Sequence, residues 1–222
     1  MSASYVILQF GTDPFNNRYE DSEGRLAFSL YLASQSPNLV IRLARHIPWA
    51  QQYPNVMGPE NAYFYFGPEM SPGYIVYGNN QISLPMSHMS RQQREGSTSR
   101  YFTAQSGRHY KWRITPHRME VLCMILTDPF LSLSCPLHFL PIFPSSLRHI
   151  ISRPLPNVSS LLSLSTSQCM DGRTCIALWE ALPSTDFDYD ARVTLRPSAL
   201  MLITEIMTTL ILNRMYLALN WQ

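Results

Sequence analysis

The hydrophobic and polar residues of this chain alternate most clearly between Arg108 and Thr115. Tyr110, Trp112 and Ile114 fall on one side of an extended chain, because successive side chains of a strand point to opposite faces. The segment is therefore predicted to be a strand with one packed face and one face toward water or a ligand. Other short runs rich in β-branched and aromatic residues, bounded by turn residues, also predict strands. These runs are Tyr5–Phe10, Arg25–Leu32, Leu39–Leu43, Ala62–Phe66, Tyr74–Tyr77, Gln81–Leu84, Arg100–Ala104 and Ala191–Leu195.

The C-terminal segment from Ser198 to Trp221 has a different pattern, with apolar residues nearly all round a helical path. A helix of this kind is either buried in a protein core or spans a membrane, and the segment is long enough for a span. Glu205, Asn213 and Arg214 would be costly inside a bilayer. We therefore predict a buried core helix over residues 198–221, with a tail anchor as the alternative.

The spacing of the predicted strands favours an antiparallel sandwich or barrel over alternating βαβ units. Gly78, Asn79 and Asn80 suit a hairpin turn between two of the strands. The polar stretch Ser87–Ser99 predicts an exposed loop or a short helix. We predict one mainly β domain over residues 1–222, an antiparallel β-barrel or sandwich with a buried apolar C-terminal helix.

Val121–Gln168 differs from the rest of the chain in composition. More than half of it is Leu, Ser and Pro, and it contains no Gly, Ala, Lys, Glu, Trp or Tyr. Leu, Ser, Pro and Phe are the residues that pyrimidine-rich codons encode, and the terminal valine and glutamine fit splice-site codons. Removing the segment joins Glu120 to Cys169 and places an Asp-Gly hairpin turn between two strands. We predict that residues 121–168 are a translated intron; the alternative is a disordered Pro/Ser/Leu-rich insertion, which surface loops tolerate.

Composition narrows the function only slightly. A formal net charge of +2 is too small to indicate a nucleic acid partner, and none is expected. The N-terminus lacks a positive region and a long apolar core, so no signal peptide is predicted. The four cysteines do not match a disulfide framework; they are Cys123, Cys135, Cys169 and Cys175. We expect an intracellular, cytoplasmic protein, with membrane anchoring by the C-terminal helix as the alternative.

The sequence contains no nucleophile elbow, phosphate-binding glycine loop, dinucleotide fingerprint or zinc protease helix. Cys169 and Cys175 are not spaced like zinc ligands. Asp186, Asp188 and Asp190 lack the glycine and the terminal glutamate of a calcium loop. We therefore predict a protein that is not an enzyme and has no catalytic residues, metal or cofactor.

Basic residues concentrate around the strand at residues 108–115. The group comprises Arg91, Arg94, Arg100, Arg108, His109, Lys111, Arg113, His117 and Arg118. If neighbouring strands bring them to one face, that face could bind an anionic ligand, such as a lipid headgroup, through charge-assisted hydrogen bonds. The residues predicted to form this anionic-ligand face are Arg100, Arg108, Lys111, Arg113 and Arg118. The alternative is an ordinary solvent face that keeps the strand soluble.

Two groups of motifs carry a resemblance to a known family. The first consists of Arg108–Arg113 and Arg118–Glu120, continued by Asp171–Thr174 and Ala177–Trp179. The second consists of Ala191–Leu195, Glu205–Leu210, Asn213–Met215 and Leu219–Trp221. With these motifs the chain resembles an uncharacterised family of basidiomycete fungal domains, domain of unknown function 6593. The resemblance covers most of the chain except Val121–Gln168, where the sequence departs from the family pattern.

The layout of that family is similar to the tubby, LURP-one and phospholipid-scramblase group, in which a closed antiparallel barrel surrounds a C-terminal apolar helix. This similarity is one of architecture, and by analogy of fold it implies binding of lipid or phosphoinositide. The fungal family has no assigned activity to carry over. We therefore expect a non-enzymatic β-barrel module that binds a lipid, a phosphoinositide or a protein partner, with a tail-anchored membrane protein as the alternative.

Overall fold

The computed structural model of this protein describes residues 4–79, 82–124, 174–182 and 188–221. The chain divides into two units, of which Met1–Met124 with Gln168–Gln222 is the first and Ile125–Ser167 is the second. The second unit contains most of the predicted insertion at 121–168 and lies outside the described residues. All of the elements given below belong to the first unit.

The described residues form twelve strands in one antiparallel sheet, which confirms the predicted mainly β class. The order across the sheet is β7-β6-β5-β4-β3-β2-β1-β12-β11-β10-β9-β8, so the chain meanders and the first strand pairs with the last. The strands are β1 Tyr5–Phe10, β2 Asn17–Asp21, β3 Leu26–Ser34, β4 Val40–Arg45, β5 Asn61–Tyr65, β6 Tyr74–Tyr77, β7 Ser83–Pro85, β8 Arg100–Thr103, β9 His109–Thr115, β10 Arg118–Cys123, β11 Thr174–Ala181 and β12 Ala191–Leu195.

The two ends of the sheet, β7 and β8, are joined by a short connection instead of a continuous ladder. Helix α1, Ile47–Ala50, lies between β4 and β5, and helix α2, Met86–Met89, directly follows β7. Arg91 then forms a single antiparallel bridge with Tyr101 of β8. Two backbone hydrogen bonds hold this bridge, with N···O distances of 3.0 and 2.8 Å. The predicted loop or short helix at 87–99 is therefore the element that links the sheet edges.

The sheet surrounds helix α3, Ile203–Ala218, which follows a 3₁₀ segment at Pro197–Leu202. Thirteen of the sixteen residues of α3 are buried. Hydrogen bonds reach it from separate parts of the sheet: Trp112 Nε1 of β9 donates to Thr209 Oγ1 at 2.9 Å, and Arg45 Nη1 of β4 donates to Thr204 Oγ1 at 3.2 Å. The predicted buried C-terminal helix is confirmed.

The polar residues of α3 that would be costly in a bilayer have partners within the protein. A carboxylate oxygen of Glu205 accepts a hydrogen bond from the Gln105 backbone N–H at 2.7 Å. Arg214 Nη2 donates to the Thr12 carbonyl at 2.9 Å. The helical segment Pro197–Ala218 is long and apolar enough to cross a membrane, yet 83% of its apolar window is buried inside the protein. These contacts explain why an all-round apolar helix can serve as the centre of the sheet.

Strand β2 has no counterpart in the sequence prediction, because both ends of its inward side are polar. Asn17 and Asp21 are buried beside the fully buried Tyr19. Asp21 is paired by Arg25, whose Nε lies 2.7 Å from a carboxylate oxygen, and by backbone N–H groups of the turn. Burial acts to raise the pKa of Asp21, but the hydrogen bonds from Arg25 and the Glu23 backbone outweigh it and lower the pKa.

Strand β10 extends past the boundary predicted at Glu120 and includes Val121–Cys123. Val121 pairs with Trp112 of β9 and with Ala177 of β11, and it is fully buried. Cys123 pairs with Thr174, so the chain leaves β10 and enters β11 at adjacent positions. The origin of residues 121–168 as an intron stays a prediction.

Candidate functional site

The outward and inward sides of β9 follow the alternation that the sequence predicts. Tyr110, Trp112 and Ile114 are buried, whereas His109 and Arg113 are exposed and Lys111 is half-buried. In the antiparallel pair with β8, Tyr101 lies opposite Lys111 and Arg100 lies opposite Trp112. Directly opposite residues of two paired strands share one face. Arg100 is therefore on the inward side, away from the other residues of the predicted anionic-ligand face.

Arg108 is also separate from the outward side of β9. It lies just before the strand, in phase with the buried Tyr110, and its side chain is exposed at the end of the hairpin. Burial raises the pKa of the Tyr110 hydroxyl, and the hydrogen bond and positive charge of Arg108 act in the opposite direction. Of the five predicted residues, the structure brings Lys111, Arg113 and Arg118 to one face and leaves Arg100 and Arg108 elsewhere.

Arg113 and Arg118 share carboxylate partners on this outward face. Arg118 Nη2 lies 2.8 Å from a Glu120 carboxylate oxygen, and Arg113 Nη1 lies 3.5 Å from the other oxygen. A further ion pair on the same face joins Glu180 and Arg192, with a carboxylate oxygen of Glu180 3.0 Å from Arg192 Nη2. Both predicted arginines are about half exposed, with 49% and 52% of their side-chain surface accessible. Such pairs orient the side chains while leaving the guanidinium groups within reach of a ligand.

Lys111 and Arg91 extend the same face toward the edge of the sheet. Lys111 Nζ lies 5.5 Å from the ring centroid of Tyr101, a cation–π contact. Arg91 is exposed and pairs with Tyr101 from the other side of β8. Its Nη2 donates to Thr103 Oγ1 at 3.2 Å. Among the described residues, neither cation forms an ion pair with a carboxylate. Arg91 belonged to the wider basic group in the sequence but not to the five residues predicted for the site.

We refer to this surface as the outer cationic face. Its members are Arg91, Lys111, Arg113, Arg118, Arg192, Glu120 and Glu180. Five cations against two carboxylates give it a formal net charge of +3. This exceeds the +2 of the whole chain, so positive charge is concentrated here.

The thiol and acidic side chains named in the sequence analysis are the remaining candidates for a metal site. No group of three or more His, Cys, Asp or Glu side chains among them is placed to hold a metal ion. Cys123 and Cys175 lie on the neighbouring strands β10 and β11, and both are half-buried. Asp190 accepts a hydrogen bond from the Gly11 backbone N–H at 2.7 Å, whereas Cys169 and Asp186 lie outside the described residues. No protein-family model, curated protein or solved structure matches this chain.

Proposed function

We propose that this protein is a non-enzymatic binding module that attaches to anionic lipid headgroups through the outer cationic face. The observation that carries the proposal is the net charge of +3 on one side of β8–β12. Lys111 and Arg91 add charge that no carboxylate of the described residues neutralises. A basic side chain close to an anionic membrane contributes about 1 kcal/mol, so a few such residues suffice for measurable binding.

The arrangement of these cations suits a surface more than a single small molecule. They are spread over the bridge at Arg91 and the strands β9, β10 and β12 of an antiparallel sheet, while β11 between them contributes Glu180. Adjacent strands lie about 4.8 Å apart, so the face presents charges over a distance of several headgroups. Arginine forks and the lysine ammonium both donate charge-assisted hydrogen bonds to phosphate oxygens. We therefore favour a membrane surface rich in phosphatidylserine or phosphoinositide as the partner.

Helix α3 supports this peripheral mode over the tail anchor. A tail anchor requires α3 to leave the sheet, which would remove the hydrogen bonds that Glu205 accepts and that Trp112 donates. It would also open the core that thirteen buried residues of the helix now fill. Extraction of membranes with alkaline carbonate separates the two modes, because a peripheral module is released and a spanning helix is retained.

Co-sedimentation with vesicles tests the lipid proposal directly. We expect the protein to sediment with phosphatidylcholine vesicles that contain phosphatidylserine or a phosphoinositide, and to remain in solution with phosphatidylcholine alone. The combined variant Lys111→Gln and Arg118→Gln removes two charges from the face. At about 1 kcal/mol for each charge, binding should weaken roughly 30-fold.

The matched control removes two arginines from another part of the sheet. Arg18 of β2 and Arg42 of β4 are both absent from the outer cationic face, and Arg18→Gln with Arg42→Gln gives the same change in net charge. We expect the control to lose far less affinity. Equal losses in the two double variants, or no binding of the unaltered protein to anionic vesicles, would contradict the proposal.

A further inference from the structure

A cavity of about 590 Å³ lies beside the C-terminal end of α3. Its walls come from the segment after α2, from the end of β9 and from the last turn of the helix. This volume falls within the range of pockets that hold small organic ligands. The lining residues that decide its chemistry are Arg100, Ile114, Asn213, Tyr216, Leu217 and Trp221.

Arg100 gives the cavity its charge. Of the lining residues that the structure describes, Arg100 alone carries a formal charge. Its guanidinium carbon lies 5.5 Å from the ring centroid of Tyr216. Its Nη1 is buried and has no hydrogen-bond acceptor within the part of the chain that the structure describes. Burial removes the water that would otherwise solvate the charge of a cation. An anion bound beside Arg100 would offset this cost.

Asn213 supplies a second donor in the same wall. The residue is only 1% exposed, and Ser90 Oγ donates to its Oδ1 at 2.7 Å. In this orientation of the amide, Nδ2 is a buried donor that has no acceptor among the described residues. Buried polar groups in proteins are nearly always hydrogen-bonded to protein, water or ligand. Two buried donors without protein acceptors, one of them charged, therefore mark a place where an oxygen acceptor from a ligand or from water completes their hydrogen bonds.

The rest of the lining is apolar and held in place. Tyr216 and Trp221 meet edge to face with ring centroids 4.8 Å apart. Trp221 Nε1 donates to the Met70 carbonyl at 3.0 Å, which fixes the indole. Ile114 and Leu217 complete this apolar part of the wall. An anion with a hydrocarbon portion matches the cavity better than an inorganic anion, which would leave these walls without contact.

We propose that the cavity binds a small amphipathic monocarboxylate. The carboxylate accepts hydrogen bonds from the Arg100 guanidinium and the Asn213 amide, and the hydrocarbon portion packs against Tyr216, Leu217 and Trp221. Arg100 Nη1 and Asn213 Nδ2 are both buried in the structure, so binding requires these two side chains to turn toward the cavity. The site uses the inward side of β8–β9 and is independent of the outer cationic face.

Isothermal titration calorimetry with decanoate tests the proposal on the unaltered protein. Decanol has the same chain without the charge and is the matched control ligand. We expect saturable binding of decanoate and at least about tenfold weaker binding of decanol, because charge-assisted hydrogen bonds to Arg100 require the carboxylate. Equal affinities for the two ligands, or no saturable binding of decanoate, would overturn the proposal without recourse to any variant.

Variants then locate the binding site. Arg100→Gln should weaken decanoate binding at least about tenfold, whereas Lys111→Gln, one position away across the same strand pair, should leave it unchanged. The thermal unfolding midpoint of each variant, followed by circular dichroism, shows whether the fold is intact. Retained decanoate affinity in Arg100→Gln, or an equal loss in Lys111→Gln, would place binding elsewhere and overturn the assignment. Vesicle binding should be weakened by Lys111→Gln and unchanged by Arg100→Gln. The decanoate proposal and the vesicle proposal can therefore fail separately.

Discussion

The two sides of the β8–β9 hairpin hold cations in contrasting environments. On the outward side, the half-buried Lys111 has its Nζ 5.5 Å from the Tyr101 ring centroid. On the inward side, Arg100 lies the same distance from the Tyr216 ring centroid, but its Nη1 is enclosed without an acceptor. The aromatic contact is alike in both places. The difference is that one guanidinium nitrogen of Arg100 is enclosed, and on this basis we assign the outward cation to a charged surface and the inward cation to a ligand site.

The largest expected effect on the free energy of unfolding comes from a comparison of two adjacent residues of β9. Trp112 is 1% exposed and donates to Thr209 of the helix, whereas the neighbouring Arg113 is exposed on the outer cationic face. Trp112→Ala should lower the free energy of unfolding by about 3–5 kcal/mol, because it leaves a cavity beside α3. Arg113→Ala should cost no more than about 1 kcal/mol. Chemical denaturation measures both, and similar losses would contradict the assignment of inward and outward sides.

Substitution of Glu205 should have the next largest effect on the free energy of unfolding, because its carboxyl group lies within the core. The residue is 4% exposed and accepts the Gln105 backbone N–H. Glu205→Leu removes this hydrogen bond from the core and should cost about 1–3 kcal/mol. Glu205→Gln keeps an acceptor oxygen and should retain more stability at neutral pH. Equal destabilisation of the two variants would show that the hydrogen bond to Gln105 is unimportant.

The same carboxyl predicts a pH dependence of stability. Burial raises the pKa of Glu205, and the hydrogen bond from Gln105 lowers it only in part. The folded protein therefore holds this proton to a higher pH than the unfolded chain does. Between the unfolded pKa and the raised folded pKa, the contribution of Glu205 to stability falls as the pH rises. Unfolding measured across this range should show the decline in the unaltered protein, and Glu205→Gln should remove that part of it.

A smaller effect is expected from the ion pairs of the outer cationic face. A double-mutant cycle with Arg118→Ala and Glu120→Ala measures their coupling, since Arg118 Nη2 lies 2.8 Å from Glu120. Exposed pairs of this kind contribute about 0.2–1 kcal/mol and weaken with salt. A coupling above that range that persists at high salt would mean that the outward side is shielded from water, contrary to the comparison.

The smallest effect is expected from removing residues 121–168 and joining Glu120 to Cys169. Cys169 and Met170 then follow Glu120 in place of Val121 and Leu122, so one small apolar residue replaces another opposite Trp112. Cys123 and Thr174 are register partners, so β10 and β11 are neighbours at the point where the segment begins. We expect the free energy of unfolding and decanoate affinity to change little. Failure of this shortened chain to fold would contradict the intron prediction, which sequencing of the transcript across Glu120 and Cys169 tests independently.

The sequence predicted the sheet class, the burial of α3 and the two sides of β9, because each depends on a local pattern of side chains. It did not predict the position of Arg100, because that depends on the register between β8 and β9, which pairs Arg100 with Trp112. The placement of Arg108 was available from the sequence. Its odd separation from Lys111 puts it on the other side of an extended chain, and grouping by charge overlooked this.

The cavity could not be predicted from the sequence, for a different reason. The sequence indicated a cost for Asn213 in a membrane span, placed Tyr216 in an apolar helix, and gave Asn213 and Trp221 as motif residues of the family resemblance, but it assigned none of them to a ligand site. Their role depends on the space left where the sheet edges meet the end of α3, at the bridge between Arg91 and Tyr101. Such a space is set by packing between distant segments, for which a single sequence carries no pattern.

The measurement that tests the central claim most directly compares Arg100→Gln and Lys111→Gln side by side, with decanoate and with vesicles containing phosphatidylserine. Each variant removes one positive charge from the same strand pair. The account predicts that Arg100→Gln loses decanoate and keeps vesicles, and that Lys111→Gln keeps decanoate and binds vesicles more weakly. If both variants lose the same ligand to the same extent, the two sides of the hairpin do not act as separate sites, and the account is contradicted.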